Sequence, residues 1–180
     1  MNIFFLHFDP RTCARYYCDQ HVNKILLEVV QMLYTCIHCY DISTISAPQT
    51  KSGAHGYRKA HMNHPMTMWV RSSKRNYKWA CRLAASLALE YHARYSKVHA
   101  CTKHVEWLSK QYVFINFKEV RSPTAYYAPG PQGTTDVPEC MPEQYKNPSL
   151  IRSYMLYYFH EKLKFARYKK LCSGRACIIV

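Results

Sequence analysis

A carboxylate, an amine and an imidazole share one face of the first long helical stretch: Glu28, Lys24 four residues before it, and His21 seven before it. At 100° per residue these three and Gln31 form a polar stripe, distinct from the apolar stripe of Val22, Ile25, Leu26, Val29, Leu33 and Cys36. A carboxylate set beside cations stays ionised, and in that form it can serve as a general base or stabilise a developing oxocarbenium ion. An ordinary Lys24–Glu28 helix pair, worth about 0.2–0.5 kcal/mol, has the same spacing, and spacing alone favours that plainer reading.

A second set of reactive types lies between residues 55 and 75, where His55, His61 and His64 are interleaved with Arg58, Lys59, Asn63, Trp69, Arg71, Lys74 and Arg75. The wider segment 51–82 holds eight basic residues and no acid. Residues 1–50 are nearly neutral, with 3 basic residues against 4 acidic, and residues 151–180 carry 7 against the single Glu161. The whole chain, at +14, owes its surplus to these two segments. A positive field of this kind concerns partners rather than fold, and with aromatic side chains between the cations it points to nucleic acid. A solvated outer helix face accounts equally well for any one of these lysines, and a helical tryptophan is more often core than stacking platform.

Other chemistries are disfavoured. Cys36 and Cys39 form a CxxC around His38, and His61 and His64 are three apart, but no second cysteine pair completes a four-ligand zinc set. No metal and no cofactor is expected. There is no glycine-rich phosphate loop, dinucleotide fingerprint or nucleophile elbow, which argues against ATP-dependent and serine-hydrolase reactions. The nine cysteines, an odd number in a chain whose start does not read as a secretory signal, are expected as reduced thiols. No stretch has the roughly 20 apolar residues of a membrane span, so a soluble, intracellular protein is expected, in the cytoplasm or nucleus of a host cell if it is viral.

The elements that must position these residues read as helices. At 180 residues the chain suits one compact all-α domain, 1–180, of about four main helices. Asp9-Pro10 starts a helix or helix pair that runs to about Cys39. Residues 41–56 form a loop, and Pro65 opens a second long helix to about Lys97. A third helix covers Thr102 to about Phe114, and a last one, Ser149 to about Leu171, turns Ile151, Met155, Tyr158, Phe159, Leu163 and Ala166 to one face. Six prolines bar regular helix from 116 to 147, and a connector of that length is a candidate substrate cover. The only strand candidate is Ile3 to Leu6.

The run Asp19-Gln20-His21, with Glu28 seven positions beyond the histidine, resembles the start of the pyrimidine-dimer DNA glycosylases of the phage endonuclease V type, in which the matching glutamate is catalytic. Gly56-Tyr57-Arg58 followed by Asn63-His64-Pro65 is similar to the Tyr-Arg-Asn-His-Pro segment of bacterial members, with Lys59 to Met62 inserted. A closer resemblance, over most of the chain, is to a family of small proteins from phages and large DNA viruses. It rests on Asp19-Gln20-His21-Val22-Asn23-Lys24, His61-Met62-Asn63-His64-Pro65, Trp69-Val70-Arg71, Glu90-Tyr91 with Arg94-Tyr95 through His99, Met141-Pro142 and Tyr145-Lys146.

The glycosylase resemblance implies an all-helical enzyme that binds duplex DNA, extrudes a nucleotide and breaks a glycosidic bond, with or without strand cleavage. It gives Glu28 the catalytic carboxylate role, with His21 and Lys24 beside it, and makes Arg58, Lys59, His61, Asn63, His64, Trp69, Arg71, Lys74 and Arg75 the nucleic-acid contacts. The departure is at the amino terminus. There the phage enzyme attacks with a threonine amine, whereas Met1 here precedes Asn2, a residue too large for methionine removal. Lys24, if burial lowers its pKa, or a water activated by Glu28 would take that place. Two other readings stand beside it: a non-catalytic viral or phage nucleic-acid-binding protein, and an enzyme acting on free nucleotides.

Overall fold

The computed structural model describes residues 1–169. Six α-helices occur among them: α1 Pro10–Tyr16, α2 Asp19–Cys39, α3 Pro65–Ser72, α4 Lys74–Tyr95, α5 Thr102–Gln111 and α6 Leu150–Lys162. With a two-stranded sheet besides among these residues, the all-α expectation holds, and the helix count rises from four to six. No helix among the described residues is long and apolar enough to cross a membrane.

Local chemistry sets the helix starts. Asp9 Oδ2 accepts the Thr12 N–H at 2.8 Å and Pro10 takes the first position of α1, where its missing N–H costs nothing. The expected Pro65–Lys97 helix is broken at Ser73, whose backbone is extended (φ −153°, ψ 154°). At the break the Trp69 carbonyl accepts from the Ser72 hydroxyl at 2.9 Å and from the Asn76 amide at 2.8 Å, so side chains replace the ladder. The Ser73 hydroxyl then accepts the Asn76 N–H at 3.1 Å and restarts the helix as α4.

The core lies where α2 and α4 cross, with α1, α3 and α5 around them. Ile3, Phe4, Phe5 and Leu6 are buried there but form no strand, since the Phe4 N–H and C=O are both taken by the Tyr17 hydroxyl, at 3.0 and 2.7 Å. Phe5 stacks on Trp79 at 4.4 Å and meets Trp69 edge-on at 5.4 Å.

Buried polar contacts hold the start of α2. Arg94 of α4 donates to Asp19 Oδ1 at 3.1 Å, to Glu90 Oε2 at 3.3 Å, and to the Tyr17 and Arg15 carbonyls at 2.7 and 3.1 Å. Beyond α4, His99 Nε2 lies 2.9 Å from Asn23 Oδ1.

The proline-rich connector is built into the body rather than hung over it. Tyr127–Ala128 (β1) pairs antiparallel with Val137–Pro138 (β2). The Trp69 indole N–H reaches the Thr135 carbonyl at 3.1 Å, Asn76 bonds Thr135 twice, and Tyr154 of α6 donates to the Pro138 carbonyl at 3.0 Å.

The last helix is shorter than expected. It ends at Lys162 and is followed by a 3₁₀ turn, Leu163–Phe165. Its buried face is Leu150, Ser153, Tyr154 and Tyr158, so Met155 and Phe159, expected inside, are 48% and 56% exposed. The expected end at Leu171, with Lys170 and Arg175, lies outside the described residues.

Candidate functional site

Glu28 is only 14% exposed in its side chain, and its surroundings come from opposite ends of the chain. Oε2 accepts the Asn2 N–H at 2.8 Å and lies 3.8 Å from the Met1 amino group, while Oε1 is 3.9 Å from Lys24 Nζ. The Asn2 side-chain amide in turn donates to the Cys140 carbonyl at 2.9 Å, so the connector forms part of the same wall. The Cys140 thiol is pushed up to about 11, mainly by burial.

His64 belongs to this group. It caps α3 by accepting the Met66 N–H on Nδ1 at 3.2 Å. Burial, then the positive charges of the Met1 amine and His61, hold its imidazole below the ordinary range, with Glu28 pulling the other way. The segment leading to His64 lies along α2: Thr35 Oγ1 exchanges hydrogen bonds with the Ala60 N–H and C=O, both at 3.0 Å. Arg58, Lys59, His61 and Asn63 are all exposed on that strip.

The rest of the expected set separates. His21 points into the core rather than at Glu28, with Nδ1 2.7 Å from the Tyr158 hydroxyl and its ring 5.1 Å from that of Phe4. Burial, Lys162 and Lys24 push it down to about 4, so it is neutral at pH 7. Lys24 is 68% exposed, which removes the desolvation an amine nucleophile at that position would need. Trp69, expected as a stacking surface, is 2% exposed and packs between Phe5 and Trp79, since α3 turns its apolar face to the core. Arg71 Nη2 points to the Met62 carbonyl at 3.5 Å, and its buried Nε has no partner among the described residues. Lys74 lies over the Tyr112 ring at 4.8 Å, and Arg75 Nη1 reaches toward the Gly133 carbonyl at 3.5 Å.

Met1, Asn2 and Cys140 had no signal in local spacing, because Asn2 meets Glu28 across 26 residues and Cys140 across 138. Among the described residues no three of His, Cys, Asp and Glu converge as a metal site, and all seven cysteines there are free thiols. Cys36 is wholly buried, while His38 between the pair bonds the Tyr57 carbonyl at 2.9 Å.

Comparison with protein-family models, curated proteins and solved structures finds no match for this chain.

Proposed function

We propose that the protein is a DNA-directed enzyme of the base-excision type, with Glu28 as its catalytic carboxylate. The observation that carries this reading is the setting of Glu28: a mostly buried acid, fixed by the Asn2 N–H, close to the Met1 amine and within electrostatic reach of His64, the residue that ends a strip exposing Arg58, Lys59, His61 and Asn63. Cleaving a glycosidic bond requires an acceptor for the proton of an attacking group or a negative charge beside the sugar as it becomes cationic, and one fixed carboxylate supplies either. The flanking cations bind the phosphates on both sides of that sugar. With Lys24 in solvent, the reaction assigned to Glu28 is the activation of water.

The test is release of base or nicking of ultraviolet-irradiated and abasic duplexes by the intact protein and by Glu28→Gln. Glutamine keeps an oxygen acceptor for the Asn2 N–H, so the fold is preserved while the charge is lost. Activity falls about 10²–10⁴-fold, the usual weight of a general base. Equal activity in the two proteins removes Glu28 from the mechanism.

The tether itself favours a second reading. A carboxylate whose Oε2 already takes the Asn2 N–H and faces an ammonium also serves as a structural pin for the first residues. In that case the protein binds nucleic acid without turnover, and Glu28→Gln changes stability but not affinity.

A further inference from the structure

Around the α2 surface from Glu28, a separate pocket of about 500 Å³ opens between α2, the 49–55 hairpin and the start of α5. Its rim is cationic and hydroxylic. The Gly53 N–H bonds the Thr50 carbonyl at 3.0 Å, and this turn, with φ +83° at Gly53, presents Thr50, Lys51 and Ser52 to the pocket. Lys103 faces them from the first turn of α5, a helix whose start has no side-chain cap among the described residues. No carboxylate stands among the described residues that line it.

The inner wall is apolar and aromatic, built from Leu27, Tyr57 and the buried His104. The Tyr34 hydroxyl and His104 Nδ1 are hydrogen-bonded at 2.8 Å, which leaves Nε2 as a ring nitrogen with no partner among the described residues. Burial and Lys103 push this imidazole down to about 4, so at neutral pH the ring is uncharged.

We infer that this pocket binds a nucleoside monophosphate unit, its phosphate between Lys51 and Lys103 and its base against Tyr57 and His104. The ligand class follows from the pairing of features. Two ammonium groups with two hydroxyls and no acid select a phosphate, and an aromatic wall with one unpartnered imidazole nitrogen selects a flat ring that carries hydrogen-bonding groups on its edge. The Glu28 chemistry plays no part, so the two assignments fail independently.

The test is a nuclear magnetic resonance titration of the full chain with dAMP, inorganic phosphate, deoxyadenosine and a short single-stranded oligodeoxyadenylate. It reads the amides of residues 50–53 and 100–104. dAMP shifts both segments and binds about tenfold or more tighter than phosphate or deoxyadenosine alone. Lys51 and Lys103 are both exposed, so a Lys51→Ala/Lys103→Ala protein folds and loses the dAMP response, while Glu28→Gln keeps it.

If the oligonucleotide displaces dAMP, the pocket's source is a nucleotide within a strand; if it leaves these amides unmoved while dAMP shifts them, the source is the free nucleotide. The inference is overturned if no millimolar dAMP shift appears, if the shift survives loss of both lysines, or if phosphate alone matches dAMP.

Discussion

His21 provides a quantitative test of whether the start of α2 is a structural clamp. In the folded protein its ring is 6% exposed, held by the Tyr158 hydroxyl at 2.7 Å and flanked by Phe4 and Phe165. Its pKa falls from 6.5 to about 4, through burial first and then Lys162 and Lys24. The unfolded ring therefore binds a proton between pH 6.5 and 4 that the folded ring refuses. Stability is intact above pH 6.5, erodes as pH falls through this window, and has lost its full share below pH 4. A 2.5-unit gap at about 1.36 kcal/mol per unit amounts to about 3 kcal/mol in full, of which about 2 kcal/mol is lost by pH 5. The perturbation is His21→Gln, whose side-chain amide carries both a donor and an acceptor for the Tyr158 hydroxyl and does not titrate. Urea unfolding followed by tryptophan fluorescence at pH 8 and pH 5 measures the effect. The intact protein loses about 2 kcal/mol more between the two pH values than the variant does. An equal loss in both proteins, or a His21 resonance titrating near 6.5, refutes the reasoning and returns His21 to solvent and to the reactive groups around Glu28.

Arg58→Ala/Lys59→Ala lowers the log–log salt slope of DNA binding by about 2, near 0.9 for each phosphate that is no longer neutralised, and changes unfolding free energy by less than about 0.5 kcal/mol, since both side chains are exposed. Trp69→Ala costs about 3–5 kcal/mol by urea unfolding and leaves the DNA affinity of the folded fraction unchanged, as a core residue must. Arg94→Met leaves Asp19 and Glu90 without their buried cation and costs about 3–5 kcal/mol by the same measurement. Gly56→Ala, at φ +75° with its new methyl against the Tyr34 ring, destabilises by more than about 1 kcal/mol in thermal unfolding.

What is legible in the sequence depends on how local its cause is. Asp9-Pro10 and the Val22–Cys36 stripe mark α1 and α2 because caps and helical period act within a few residues. The interruption at Ser73 is hidden, because it depends on the Asn76 amide reaching back to the Trp69 carbonyl. Ile3–Leu6 has strand composition, yet a tyrosine thirteen residues away supplies the hydrogen bonds that a neighbouring strand would have given Phe4. The inner face of α6 departs from the expected one for a related reason. Tyr158, expected on that face, is held there by His21, while Tyr154, outside the expected stripe, is drawn in by the Pro138 carbonyl and leaves Met155 and Phe159 exposed. Within the site, Glu28 can be singled out from spacing, but the amine and the Asn2 N–H beside it arrive only through the fold.

The polar residues of α2 consequently divide along its length. Asp19, His21 and Asn23 each face a partner on another element, Arg94, Tyr158 and His99 respectively, across 75, 137 and 76 residues. Contacts of that range fix where α2 begins relative to α4 and α6, and none of these three groups is left free to meet a substrate through the same atoms. Beyond them, Lys24 lies in solvent, and Glu28, more than a turn past Asn23, has the first two residues and the capping His64 before it. A clamp at one end of a helix and an acid further along it is an arrangement in which rigidity serves position: the clamp fixes the helix from which the carboxylate meets the first two residues and His64. It follows that Asn23→Ala, which frees His99 Nε2, should lower stability without touching the proposed base release per folded molecule, whereas Glu28→Gln should do the reverse. If both variants lose base release in proportion to lost stability, these polar residues are one structural unit and the division drawn along the helix is wrong.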